Sequence, residues 1–192
     1  MTDDAELLAR AARGDRAAFG EFVVRHEPAL LRFARATAHD ETEADDVFQR
    51  TFLAAWRGAK NARATPSARP WLFAIARRES ARLGRRAADR AARERSIDEL
   101  GEDAGFGDVE HTPERMAHLR EERVLVDKAL NALSPEHREV LVLRDVEGLS
   151  GDEAAELLGL TLIALKARLH RARLALACEL RICLREELRH EG

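Results

Sequence analysis

Two sets of cationic side chains have the type and spacing to hold a polyanion. Arg69, Arg77, Arg78, Arg82, Arg85 and Arg86 lie in one stretch beside Trp71, and Lys166, Arg168, His170, Arg171 and Arg173 lie in another. Cations next to an aromatic surface suit unstacked bases and their displaced backbone. Cations three and four residues apart on one helix suit a major groove, where some reach base edges and others hold the flanking phosphates. A third cluster, Asp40, Glu41, Glu43, Asp45 and Asp46, has the carboxylate density to gather a divalent cation, as a metal-dependent nuclease would need. These carboxylates spread around a helix, however, and no metal, cofactor or catalytic site is assigned. Cys178 and Cys183, five apart on one predicted helix, point in different directions and read as two small helix residues rather than a bridge.

Charge must be divided along the chain before it is informative. The net charge of −3 over 192 residues does not suggest a nucleic-acid binder. Yet residues 61–95 carry ten basic and three acidic side chains, and 158–192 carry seven and four. Between them, 96–123 carry three basic and nine acidic groups, and 124–157 carry three and eight. Two basic blocks separated by acidic sequence allow two local polyanion-binding surfaces on a slightly acidic protein. Only Lys60, Lys128 and Lys166 are lysines. Arginine favours forked contacts to phosphate and guanine, although a GC-rich coding genome explains heavy Arg and Ala use equally well.

The elements that must position these groups are helices. Ala, Leu, Arg and Glu dominate, aromatics are 5% and Tyr is absent, which is helical rather than sheet usage. The expected fold is all-α, with two small helical domains joined by a flexible acidic linker. No apolar run is long enough for a membrane span and the first residues are acidic, so a cytoplasmic location without membrane insertion is expected.

Residues 1–95 read as a four-helix first domain. Asp15 is a plausible N-cap for a helix carrying Phe19, Phe22, Val23, Leu30, Leu31 and Phe33. Asp40 with Glu43 resembles a capping box before Val47, Phe48, Phe52 and Trp56, with Gly58 ending that helix. Ala59 to Pro70 is expected as a loop, and a long helix as starting at Trp71. Residues 96–111 hold Gly101, Gly105 and Gly107 among six carboxylates and read as the linker. The second domain, 112–192, opens at Thr112-Pro113. Ser134-Pro135 starts a further helix that Gly148 closes, and Ser150 with Glu153 caps a short one. Gly159 turns the chain, and Thr161 caps the last helix. This is a helix-turn-helix pattern, with Ala154, Leu157, Leu160, Leu165 and Leu169 as the buried seam. The cations beyond the seam read either as a DNA-reading face or as a solvated basic face. The turn glycine, the cap and the charge contrast favour DNA.

Three stretches of the second domain, Leu133 to Leu141 (LSPEHREVL), Glu147 to Gly159 (EGLSGDEAAELLG) and Lys166 to Arg173 (KARLHRAR), resemble the promoter-binding C-terminal domain of sigma factors. In the first domain, Asp45 to Trp56 (DDVFQRTFLAAW) resembles the helix by which sigma factors grip RNA polymerase, and Arg69 to Arg78 (RPWLFAIARR) resembles the helix that opens and reads the −10 element. The two domains in this order, with no folded region between, resemble the extracytoplasmic-function subfamily. The resemblance implies a non-catalytic initiation factor with core polymerase and promoter DNA as partners, and an anti-sigma protein holding it inactive. It implies polymerase contacts at Asp45, Asp46, Gln49 and Phe52; without it, Asp46 and Gln49 read as ordinary polar surface. It implies single-stranded −10 contacts at Lys60, Asn61, Arg63, Arg69, Trp71, Arg77, Arg78 and Arg82, with Trp71 reading equally as a core residue. It implies duplex −35 contacts at Thr161, Ala164, Lys166, Arg168, Arg171 and Arg173.

The sequence departs from that family's usual pattern in both domains. Ile163-Ala164-Leu165 stands where the family usually has Gly-Thr-Val, which removes a hydroxyl and leaves side chains that can meet only apolar edges such as thymine methyls. Arg78 and Arg82 stand where the family usually has Asn and Asp, adding charge and removing acceptors. An adaptor that docks on polymerase or an anti-sigma protein without productive initiation is therefore the alternative function.

Overall fold

The computed structural model describes residues 3–60, 62, 68–93 and 124–190, with side chains to 85 within 68–93 and to 186 within 124–190. Every regular element among the described residues is a helix. The chain divides into two compact units, Met1–Glu102 and Asp103–Gly192. The expected linker at 96–111 and the expected helix start at Thr112-Pro113 lie outside the described residues.

Among the described residues, four α-helices make the first unit: α1 (Asp4–Ala11), α2 (Arg16–Thr37), α3 (Glu41–Gly58) and α4 (Ala68–Arg93). The turn between α1 and α2 needs a left-handed residue, which Gly14 supplies at φ 92°. Asp15 then caps α2 by accepting from the Ala18 N–H at 3.0 Å, and the Arg10 guanidinium from the end of α1 grips the same carboxylate. Asp40 caps α3 through the Glu43 N–H at 2.7 Å, while the Glu43 carboxylate accepts from the His39 N–H, one residue further back than a standard capping box.

Helix α4 starts three residues before the expected Trp71. Pro70 falls in its first turn, where a missing N–H costs nothing, so the proline that suggested a loop is inside the helix. The core is a line of aromatics and small residues. Phe22, Leu30 and Phe33 of α2, Val47, Thr51 and Ala55 of α3, and Leu72, Phe73 and Ala76 of α4 are buried together with Leu7 and Leu8 of α1. Phe33 and Phe73 rings meet at 5.3 Å. Truncating either phenylalanine to Ala removes about 3–5 kcal/mol.

A titratable group also sits in this core. His26 is buried on α2 with its Nε2 2.8 Å from Asp4, which also holds Arg25 at 2.6 Å, so a single α1 carboxylate fastens two α2 side chains. The Phe22 ring lies 4.4 Å away.

The second unit is described from α5 (helical residues 124–131) onward. It continues with α6 (Pro135–Leu141), a wide π-turn (Val142–Val146), α7 (Gly151–Leu158) and α8 (Leu162–His190). Ser134 caps α6 with Pro135 at its first position. As expected, Gly148 closes this helix, in the left-handed region at φ 68°, after a final π-turn in which the Glu147 N–H donates to the Val142 carbonyl at 2.8 Å. Arg138 ties α6 to α5 through the carbonyls of Asn131 and Leu133.

Burial pushes the His26 imidazole below its ordinary pKa, outweighing the opposing pull of Asp4; Arg69 and Arg25 add to the lowering. A depressed folded-state pKa means that the unfolded chain takes up the proton first. The stability His26 contributes is therefore complete above about 6.5 and lost as pH falls through the folded value. Urea unfolding followed by fluorescence of Trp56 and Trp71, both in the first unit, should show the full chain weakening as pH falls below about 6.5. His26→Gln should flatten that slope, and an unchanged slope would remove His26 as its cause.

Candidate nucleic-acid interface

The helix-turn-helix is fixed by three local devices. Ser150 accepts from the Glu153 N–H at 3.2 Å and Glu153 accepts from the Ser150 N–H at 2.8 Å, a complete capping box at the start of α7. Gly159, at φ 67°, ends α7 in the left-handed region. Thr161 accepts from the Ala164 N–H at 3.1 Å and so caps α8. The two first turns lie close: a Cβ on Gly151 would stand 2.9 Å from Leu162 Cδ1, the tip of a side chain that would have to shift. Of the expected seam, Ala154, Leu165 and Leu169 are buried and Leu157 and Leu160 half-buried; Ala155, Leu158 and Ala172 complete it.

Burial of Leu165, Leu169 and Ala172 turns the opposite stripe of α8 outward: Ile163, Ala167, His170 and Leu174, all exposed. The exposed cations Lys166 and Arg171 flank it on either side, and Ala164 is exposed beside them. Two expected contacts are engaged within the unit. Arg173 makes a forked pair with Asp145, at 2.9 and 2.6 Å, and that carboxylate holds its positive charge more firmly. Arg168 is half-buried at the edge of the seam, 3.7 Å from Glu136. The cationic face of α8 is thus narrower than its sequence suggests, because α6 and the π-turn supply counter-charges.

Helix α4 carries the second cationic surface. With Leu72, Phe73, Ile75 and Ala76 buried, Arg78, Arg82 and Arg85 share an exposed face at i, i+4 and i+7. Arg78 donates to its own helix at the Ala74 carbonyl, and Arg82 lies 3.9 Å from Glu79. Arg69, Arg77 and Trp71 are half-buried, and the Trp71 ring lies against the end of α3, where a Cβ on Gly58 would stand 3.6 Å from it. Lys60 is exposed; Asn61 and Arg63 lie outside the described residues.

On α3 the expected contact face is corrected by one residue. Asp45 and Gln49 are exposed and Asp46 pairs with Arg50 at 3.2 Å, but Phe52 is 7% exposed, edge-on to Phe48 and Phe19. It holds α3 against α2. Leu53, four residues beyond Gln49 and 55% exposed, supplies the apolar surface instead. The sequence signal for it was the phase of Val47, Thr51 and Ala55, which puts Leu53 outside. The carboxylates of this region are dispersed: Asp40 and Glu43 serve as caps and Glu41 lies 4.0 Å from Arg35. Among the described residues no group of three or more His, Cys, Asp or Glu is gathered to hold a metal ion, and no helix is long and apolar enough to cross a membrane.

Comparison with known proteins bears on both units. Residues 22–90 match the family model for Sigma-70 region 2, and 123–176 match that for Sigma-70, region 4. RNA polymerase sigma factor CnrH of Cupriavidus metallidurans is 36% identical over 91% of this chain and 92% of its own length. ECF RNA polymerase sigma factor SigM of Mycobacterium tuberculosis is 34% identical over 91% and 83%. Among solved structures, CnrH in complex with the cytosolic domain of CnrY matches with a TM-score of 0.65 at 34% identity, covering 93% of this chain and 97% of that one. The sigma factor RpoE in complex with the anti-sigma factor NepR from Bartonella quintana matches with a TM-score of 0.71 at 26% identity, covering 85% and 97%.

The Arg173–Asp145 fork makes a testable statement about charge. Asp145→Asn should release Arg173 and steepen the dependence of duplex DNA affinity on salt by up to about one unit of log–log slope, evenly across sequences. Salt titrations of the full chain on unrelated duplexes would measure it, and an unaltered slope would mean that Arg173 never reaches phosphate.

Proposed function

This chain belongs to the sigma-70 family of RNA polymerase sigma factors, of the extracytoplasmic-function type, and from that premise we propose a division of labour among its surfaces. As a sigma factor it binds core RNA polymerase and directs promoter-specific initiation. The family is in general non-enzymatic, and no residue here is given a catalytic role.

The exposed face of α3, with Asp45, Asp46, Gln49 and Leu53, docks on core polymerase: charged and amide groups set register while Leu53 supplies desolvated area. Helix α4 takes the melted −10 strand. Arg78, Arg82 and Arg85 track its backbone, and Lys60, Arg69, Trp71 and Arg77, with Asn61 and Arg63, belong to the same assignment. Helix α8 enters the major groove of the −35 duplex, with Lys166 and Arg171 on phosphates or guanines, Ala164 against the base edges and Thr161 at the groove wall. Arg168 and Arg173 join only by leaving Glu136 and Asp145.

Residues 1–95, 96–111 and 112–192 are the corresponding functional divisions, and the acidic 96–111 stretch suits polymerase's basic nucleic-acid channel. The place of action is the cytoplasm, with the polymerase. An anti-sigma partner, of the kind that NepR is for RpoE, holds the chain inactive by covering these surfaces.

The observation that carries this reading is the coexistence, in one chain, of a capped helix-turn-helix whose outward stripe is flanked by Lys166 and Arg171 and a separate unit whose α4 shows a row of arginines. Transcription with purified core polymerase on the DNA upstream of this protein's own gene should give a discrete start. Binding to core without any start would favour the adaptor reading, and no binding would overturn both. In the same system Leu53→Ser should weaken association with core by about 1–2 kcal/mol while leaving the unfolding transition in place, because Leu53 lies outside the core. Phe52→Ala should instead lower stability. Equal core binding by Leu53→Ser and the unaltered chain would move the docking face elsewhere.

A further inference from the structure

We infer that Ile163 is a specificity-determining residue, reading the C5-methyl group of a thymine in the duplex bound by α8. This rests on the assignment of α8 to upstream promoter DNA and goes beyond it by naming the chemical group that is read.

The first turn of α8 holds four apolar residues with different fates. Leu165 is buried in the seam, Leu162 is 37% exposed and lies over Gly151, and Ala164 offers a single methyl. Ile163 is 81% exposed, the largest value among the exposed large apolar side chains of the described residues. The seam residues Leu165, Leu169 and Ala172 fix its phase on the opposite side of the helix, away from the helices that pack against α8.

Its surroundings point to DNA. The exposed cations Lys166 and Arg171 lie on opposite flanks of the stripe that Ile163 begins, an arrangement that suits the two phosphate walls of a groove. Ala164 and Ala167, exposed beside it, present only methyl groups and let the helix approach base edges closely. The position is also the end of the helix that reaches deepest, since a recognition helix reads with its N-terminal residues.

An aliphatic side chain has neither donor nor acceptor. Set against the N7, O6 and O4 acceptors and the N4 and N6 donors of the major groove it would leave polar groups desolvated and unpaired. The thymine methyl is the one group on a base edge that it complements. Branching at Cβ adds to the match, because Ile163 has few rotamers to lose on contact.

The test uses holoenzyme assembled from the full chain and core polymerase. Promoter duplexes carry deoxyuridine in place of each thymine of the upstream element in turn, a change that deletes only the methyl. At one position the substitution should weaken binding about fourfold, the size expected for one buried methyl group. Ile163→Ala should weaken binding to the thymine duplex by a similar factor and abolish the penalty for deoxyuridine at that position. The variant should fold normally, since the side chain contributes nothing to the core. Indifference to deoxyuridine at every position, or a penalty that survives in Ile163→Ala, overturns the inference while leaving promoter binding by α8 intact. Loss of core association by Ile163→Ala would make the residue a protein contact and overturns it too. Failure of the all-thymine promoter to bind would sink the assignment of α8 and the inference with it.

Discussion

A helix can bury one stripe of its surface, and burying that stripe decides what its opposite face presents. In α3, Val47, Thr51, Phe52 and Ala55 turn inward, which leaves Asp45, Gln49 and Leu53 outside. In α4, Leu72, Phe73, Ile75 and Ala76 turn inward, which aligns Arg78, Arg82 and Arg85. In α8, Leu165, Leu169 and Ala172 turn inward, which brings Ile163 and His170 to the surface between Lys166 and Arg171. Each of these faces is the complement of a packing decision made on the other side of the same helix. The core mixes alanines with larger side chains, and the larger ones fix the phase of each helix.

Much of this was legible in the sequence, for a local reason. The caps at Asp15, Ser134, Ser150 and Thr161 and the left-handed glycine at 159 are encoded within three or four residues, and all are present. So are the seam residues Ala154, Leu165 and Leu169. The features that could not be read depend on partners distant in the chain. The phase of α3 puts Leu53 outside, but that Phe52 is spent on packing depends on Phe19 of α2, a contact that local sequence does not show. Arg173 finds Asp145 twenty-eight residues away, and His26 finds Asp4 twenty-two away. Pro70 misled in the other direction: proline marks a loop or a first helical turn, and local sequence does not choose between them.

The electrostatic design has two scales. Dividing the charge along the chain exposes two basic blocks that the net charge of −3 conceals. Folding then subtracts from those blocks, since Asp145 and Glu136 engage two of the arginines of α8 and Glu79 stands near one of α4. On α4 a narrow row of cations remains, and on α8 one cation on either side of the stripe that Ile163 begins, rather than a broad positive patch. So few fixed cations favour a defined register on nucleic acid over indiscriminate adhesion, because few phosphates can be satisfied in any displaced position.

The wide turn at Val142–Val146 gives this arrangement an unexpected sensitivity to chain length. A π-turn accommodates one residue more than an α-turn, and each added residue rotates the downstream chain by about 100°. The meeting of Asp145 with α8 is therefore set by backbone phase rather than by the choice of aspartate. A related gene lacking a single codon in this turn would keep the acidic residue yet aim it elsewhere, leaving Arg173 without this partner. Besides substitution of Asp145 itself, insertions and deletions in this turn are a route by which related sequences can retune their grip on DNA.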